Sequence, residues 1–274
     1  MVIFVPMKPS DQCRGTGRKP GPSSQATARI PGRALKSAAQ PGVEDSGHDG
    51  KSVGTMRAKT VTLRKARGKT TSQQRWLQRQ LNDPYVAAAR AQGWRSRAAF
   101  KLIDMDDRFS LIKPGAKIVD LGAAPGGWSQ VAVKRHAACV VGIDLLPIDP
   151  VSGANFIEGD FTDPSMDTQL LALLGGKADI VLSDMAPNTT GHAATDHLRI
   201  MGLAEAALDF ATSVLAEGGS FVAKVFQGGS ERTMLQRLKQ HFASVRHVKP
   251  PSSRKESSEL YVVAQGFRPA PITH

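Results

Sequence analysis

Lys117–Trp128, KIVDLGAAPGGW, is the stretch on which the fold turns. Lys117 to Leu121 carries Ile118 and Val119 and reads as a short buried strand, with Asp120 near its end. Glycines 122, 126 and 127 then open a turn, and Trp128 to Arg135 reads as a helix. A strand, a glycine turn and a helix start make a site of the nucleotide-binding kind. The turn lets backbone N–H groups approach a ligand, and the helix start adds partial positive charge. The spacing is G-x-x-x-G-G, not the dinucleotide fingerprint G-x-G-x-x-G, which argues against NAD or FAD and toward another nucleoside-bearing ligand. Glycines mark many turns, so this stretch alone also fits an ordinary strand-to-helix connection.

Downstream, strand and helix alternate. Strands are predicted at Lys117–Leu121, Cys139–Leu145, Asn155–Glu158, Asp179–Asp184, Ser220–Phe226, Ser244–Val248 and Glu259–Gln265. Helices are predicted at 128–135, 165–174, 195–216 and 230–242, with Gly218–Gly219 closing the longest. This is an α/β pattern: a mostly parallel sheet with helices on both faces. The last two strands are about ten residues apart, with Pro250 and Pro251 between them, a hairpin-like link that predicts one antiparallel edge strand.

Ligands of such sheets bind at the carboxyl ends of the strands. Asp144 lies there about 20 residues past the glycine turn, placed to accept from ribose hydroxyls. Asp160, in GDF, is placed to accept from an adenine amine. Each aspartate alone fits a strand-end turn equally well; with the glycine turn they favour an adenosine ligand.

Lys224, in FVAKVF, is a lysine among apolar residues of a central strand, where lysine is rare unless paired. Asp184, in LSDMAPN, ends the neighbouring strand; Glu259 opens the last strand, and Lys101 comes from a helix before the sheet. Two lysines and two acids can satisfy one another as a plain ion-pair network. They can also form a lysine general base whose neighbours set how readily it exchanges a proton. No His/Cys cluster has metal-ligand spacing, and no metal is expected.

The chain has 274 residues and a net charge of +12. Residues 1–75 hold 15 Lys and Arg against 4 Asp and Glu, whereas residues 76–274 hold 21 against 20, so the basic character lies at the N-terminal end. That end suits a polyanion such as RNA, or serves solubility alone. Residues 1–70, rich in Gly, Pro, Ser, Lys and Arg, read as a disordered basic extension. The remainder, 71–274, reads as one domain. Thr71 or Ser72 is expected to cap a first helix, Pro84 to restart a second and Ser96 to cap a third ending near Phe109. This 71–110 layer carries Arg75, Arg79, Arg90, Arg95, Arg97 and Lys101 interleaved with Trp76, Tyr85 and Trp94, a mixture able to grip phosphates and stack on bases, or to build an amphipathic layer. Cys13 and Cys139 make no disulfide framework, and no apolar run is long enough to span a membrane. A cytoplasmic location is expected; a mitochondrial leader in residues 1–43, where Asp11 is the only acid, is the alternative.

KIVDLGAAPGGW, SDMAPN at 183–188, SFVAKVFQG at 220–228 and RSRAAFK ending at Lys101 resemble the FtsJ-type large-subunit ribosomal RNA ribose methyltransferases. The resemblance runs from about Arg75 to about Gly266. It implies the Rossmann-like S-adenosylmethionine methyltransferase fold with seven strands, and 2′-O-methylation of a uridine in large-subunit (23S) rRNA. It places the catalytic set on Lys101, Asp184, Lys224 and Glu259, and the cofactor contacts on Gly126, Trp128, Asp144, Asp160 and Asp184. The implied partner is the large ribosomal subunit, and the chain is expected to act as a monomer. The extension before about Thr71 departs from the short tail expected in close relatives. Other methylations fit less well: covalent base C5-methylation needs a cysteine near the fourth or fifth strand end, and amino-methylation usually carries [ND]-P-P-[YF] where this chain has DMAP. The alternatives are a non-catalytic RNA-binding ribosome assembly factor, a reading from a different class, and a 2′-O-methyltransferase acting on another RNA.

Overall fold

The computed structural model describes Gly68, residues 70–187, residues 190–226 and residues 231–269, without the side chains of residues 72, 75, 76, 193 and 231. The extension assigned to 1–70 thus lies outside the described residues apart from Gly68 and Thr70, as do the side chains of Arg75 and Trp76.

In chain order the elements are α1 (Thr71–Leu81), α2 (Pro84–Ala91), α3 (Ala98–Phe109), β1 (Lys117–Leu121), α4 (Gly127–Lys134), β2 (Cys139–Asp144), β3 (Ala154–Glu158), α5 (Met166–Leu174), β4 (Ala178–Ser183), α6 (Ala193–Val214), β5 (Leu215–Phe226), α7 (Glu231–His241), β6 (Phe242–Val248) and β7 (Glu259–Phe267). The seven strands form one sheet in the order β3-β2-β1-β4-β5-β7-β6. Neighbours from β3 to β5 pair in parallel, and β7 is antiparallel to both β5 and β6. The antiparallel strand therefore lies inside the sheet, not at its edge as the hairpin-like link suggested. β6 pairs only with β7 and takes the edge, because β7 turns back into the gap beside β5.

Alternation along each strand sends side chains to two buried layers. Val119, Leu121, Val141, Val181, Phe221 and Ala223 join α5, α6 and α7 on one face. Ile118, Val140, Ile180, Leu182, Val222 and Tyr261 meet α3 and α4 on the other.

Three local expectations need correction. Thr70, not Thr71 or Ser72, caps α1: its hydroxyl accepts from the Gln73 amide at 3.2 Å while the Gln73 side chain accepts from the Thr70 amide at 3.0 Å. Ser96 does not cap α3; Arg97 holds that position in helical conformation, and the Ser96 hydroxyl is packed against Gly127, where an added Cβ would meet it at 2.6 Å. Gly218–Gly219 does not end α6. The helix stops at Val214, and Leu215 is already extended and paired with Ala178. The next pair is Ile180 with Ser220, so β5 bulges between them, and Gly218 supplies the positive φ of +79° there.

Candidate active site

Strand register assembles the polar cluster. Asp184 follows Ser183, which pairs with Ala223; the next residue of β5, Lys224, lies opposite Tyr261, and Phe226 lies opposite Glu259. Because β7 runs antiparallel, its first residues reach the rim where the parallel strands end. Lys101 enters from α3, which covers that face.

The predicted catalytic residues meet. Lys224 Nζ lies 2.6 Å from Asp184 Oδ1 and donates to the Asp184 backbone carbonyl at 2.9 Å. Lys101 Nζ lies 2.8 Å from Glu259 Oε1 and 3.9 Å from Asp184 Oδ1. Sequence reasoning missed the group that joins them. The Tyr261 hydroxyl accepts from Lys101 at 2.9 Å and donates to Asp184 Oδ1 at 2.5 Å. Its signal was present: Tyr261 is two residues beyond Glu259, hence on the same face of the strand.

Burial works against a charged Asp184, but the ammonium groups of Lys224 and Lys101 and hydrogen bonds from Lys224 and Tyr261 outweigh it and hold the carboxyl below its usual range. Burial raises Tyr261 well above the ordinary phenol value, and the charges of Asp184 and Glu259 add to that, so the phenol keeps its proton as a donor. Asp120 lies one strand away. Burial drives its carboxyl up to about 7; the Ser129 hydroxyl, donating at 2.7 Å, opposes this, and the charges of Asp184 and Asp144 reinforce it.

Beside this cluster, the turn after β1 offers a cradle that side chains would fill. Gly122 has φ +70°, and a Cβ there would lie 2.4 Å from Met185 Cγ. Gly126, at the N-cap of α4, has φ +99°, and no side chain caps that helix start. Trp128 does not present its ring: it is 3 % exposed, its indole N–H donates to the Ala98 carbonyl at 2.8 Å, and the ring packs on Tyr261 at 5.8 Å. Only its backbone is left to meet a ligand. Asp144 is joined to the turn, accepting from the Ala124 amide through Oδ2 and from the Leu146 amide through Oδ1, both at 2.9 Å. Asp160 stands apart at the exposed end of β3, where Oδ1 accepts from the Thr162 amide and hydroxyl. Uncapped helix amides and carboxylates at successive strand ends fit a nucleoside-bearing group.

The basic layer is less free than its composition suggested. Arg97 pairs with Asp83 at 3.2 Å and lies over the Tyr85 ring, while Tyr85 packs on Phe100. Arg95 donates to three backbone carbonyls. With Lys101 in the polar cluster, Arg79 and Arg90 are the exposed members among the described side chains.

A central β1, a glycine turn at the switch in strand order and an inserted antiparallel β7 define an α/β methyltransferase. Residues 94–267 match the FtsJ-like methyltransferase family, and the chain belongs to it. Ribosomal RNA large subunit methyltransferase E of Gluconobacter oxydans is 69 % identical over 263 residues, covering 96 % of each chain. The Granulibacter bethesdensis protein of the same name is 70 % identical over 213 residues, 78 % of this chain and 93 % of that one. The crystal structure of a ribosomal RNA methyltransferase from Plasmodium falciparum matches with a TM-score of 0.58 at 31 % identity, covering 64 % of this chain and 98 % of that one. The Gluconobacter match leaves only 274 less 263, or 11, residues of this chain outside it, so most of the segment before Thr71 is shared with that relative. The Granulibacter match takes in 93 % of that protein within 213 residues, so the extension is shared with one relative and departs from the shorter other, as expected.

Proposed function

We propose that this enzyme methylates a uridine ribose 2′-hydroxyl in large-subunit (23S) rRNA, with S-adenosylmethionine as donor, in support of late subunit assembly. The observation that carries the reading is the Lys101–Asp184–Lys224–Glu259 cluster at the sheet rim beside the glycine turn. The names of the close relatives support the rRNA substrate.

S-adenosylmethionine supplies a sulfonium methyl already activated for transfer. The backbone of Gly126 and Trp128, the carboxylates of Asp144 and Asp160, and Asp184 are the groups that would hold it. The remaining work is to align the ribose oxygen and remove its proton. Lys224 is the base in this reading. A neutral lysine amine has two N–H bonds and one lone pair. Both N–H directions are taken by Asp184, at Oδ1 and at the backbone carbonyl, so the lone pair is left to accept the hydroxyl proton. Asp184 accepts from that amine, and Tyr261 donates to the same oxygen, Oδ1, which fixes the carboxylate in place. Glu259 places Lys101, whose ammonium orients the ribose hydroxyl.

The four side chains meet within a single chain, and the enzyme is proposed to act as a monomer. The exposed Arg79 and Arg90, together with the basic segment before Thr71, are the proposed RNA contacts. A cytoplasmic setting goes with this reading; the mitochondrial alternative rests on residues 1–43, outside the described residues.

The test is methyl transfer from labelled S-adenosylmethionine to large ribosomal subunits lacking their own ribose methylations, with wild type and Lys224→Ala in parallel. Label is expected in 2′-O-methyluridine, and the variant should lose about a hundredfold or more in rate. Label on a base overturns the ribose assignment. Full rate in Lys224→Ala removes the base, and subunit binding without any label favours the non-catalytic assembly factor.

A further inference from the structure

Arg95 sits in the short segment between α2 and α3, among basic residues whose composition suggests phosphate binding. Its guanidinium is engaged elsewhere. Nη1 donates to the Pro125 carbonyl at 3.0 Å and to the Asp149 carbonyl at 2.5 Å, and Nη2 donates to the Pro150 carbonyl at 2.6 Å. Pro125 belongs to the glycine turn after β1, whereas Asp149 and Pro150 belong to the loop after β2, the strand that ends in Asp144. One planar fork therefore spans two neighbouring walls of the cradle. Gly126 makes room for it, since a Cβ there would come within 2.9 Å of Arg95 Nη1.

The segment that carries Arg95 is itself fixed to α4. Gln130 Oε1 accepts from the Arg95 amide at 2.8 Å, and Gln130 Nε2 donates to the Gly93 carbonyl at 3.2 Å. The Trp128 indole holds Ala98, the first residue of α3, at 2.8 Å, and Lys101 follows on that helix. The glycine turn, the loop beyond Asp144 and the helix bearing Lys101 are thus stitched together around one arginine.

We propose that Arg95 is a positioning residue for the cofactor cradle, a fork that sets the turn after β1 against the loop after β2, and not a ligand of RNA phosphate. The proposal rests on reading residues 122–128 as the cofactor turn. Its chemistry is geometric: a planar guanidinium donates three hydrogen bonds, from Nη1 and Nη2, to carbonyls of two loops, which a lysine ammonium on a flexible stem does not reproduce.

Two substitutions separate the alternatives. Arg95→Lys keeps the charge and loses the fork; Arg95→Gln loses both. With the fork as the determinant, both variants weaken S-adenosylmethionine binding about tenfold, the worth of one to two lost hydrogen bonds. RNA affinity and its salt dependence stay as in wild type, and the turnover rate returns to near wild type at saturating cofactor. With a phosphate contact instead, Arg95→Lys binds RNA normally, Arg95→Gln lowers the salt slope by about one, and neither changes cofactor affinity. Hydrogen exchange on the ligand-free full-length protein gives a readout independent of the assigned cofactor. Amides of residues 122–128 and 145–153 should exchange about tenfold faster in Arg95→Lys, as expected for a lost constraint of about that free energy. Unchanged exchange overturns the proposal. A wild type that binds no S-adenosylmethionine sinks the functional reading, while the exchange comparison still decides the fork.

Discussion

Asp120 is a carboxyl that folding forces to hold a proton near neutrality, and its replacement by asparagine turns that into a measurable slope. Its pKa is raised from 3.8 to about 7, with burial the largest cause. Between those values the folded state binds a proton that the unfolded state does not. Stability from this group is therefore greatest at low pH and falls as pH rises toward 7, after which it is level. The raised value corresponds to a loss of about 4 kcal/mol across the whole window and of about 3 kcal/mol between pH 5 and pH 8, at 1.36 kcal/mol per pH unit. Asparagine is nearly the same shape, and its amide oxygen can still accept from the Ser129 hydroxyl, which donates to Asp120 at 2.7 Å. Urea unfolding of both proteins at pH 5 and pH 8 isolates the contribution of this carboxyl, because other titrations largely cancel in the difference. Asp120→Asn should gain about 3 kcal/mol on wild type in going from pH 5 to pH 8. A difference that does not change with pH would mean that Asp120 is ionised at pH 5 as well, and would falsify the account of its burial.

Gly126→Ala forces a side chain into φ +99° and against Arg95, so it should cost about 1–2 kcal/mol of stability and weaken cofactor binding, as read by thermal melting and calorimetric titration. Tyr261→Phe removes the hydroxyl between Lys101 and Asp184; turnover should fall about tenfold with RNA KM unchanged, and a rise in KM alone would give the hydroxyl a substrate-binding role instead. A chain beginning at Thr71 should bind RNA more weakly and with a shallower salt dependence while keeping its cofactor affinity, and unchanged RNA affinity at every salt concentration would take the N-terminal segment out of recognition.

The parallel half of the sheet was legible because its strands are short β-branched runs closed by glycines and aspartates; β1 starts and ends at the predicted residues. The place of β7 was not legible. Sequence spacing reveals a hairpin-like link but not which side of β6 the returning strand takes, and pairing with β5 fixes that through contacts far apart in the chain. The meeting of Lys101, Asp184, Lys224 and Glu259 could be anticipated from motif and resemblance together; Lys224, a charged residue among apolar ones in a central strand, was the clearest signal. Tyr261 was overlooked, although its spacing from Glu259 puts it on the same strand face, because a tyrosine in a strand is ordinary core material. Arg95 stood in a run of arginines whose composition left phosphate binding and a structural role both open, and its backbone-carbonyl partners are not something composition can reveal.

The insertion of β7 between β5 and β6 also sets a schedule. Chains leave the ribosome from the N-terminal end, and β7 is the last strand in sequence. Until it emerges, β5 and β6 have no partner on their facing edges, Lys101 lacks both Glu259 and Tyr261, and Asp184 lacks one of its donors. The strands of the parallel half and the glycine turn all precede it in the chain, whereas the Lys101–Asp184–Lys224–Glu259 cluster, the proposed site of proton transfer, is complete only with the final strand.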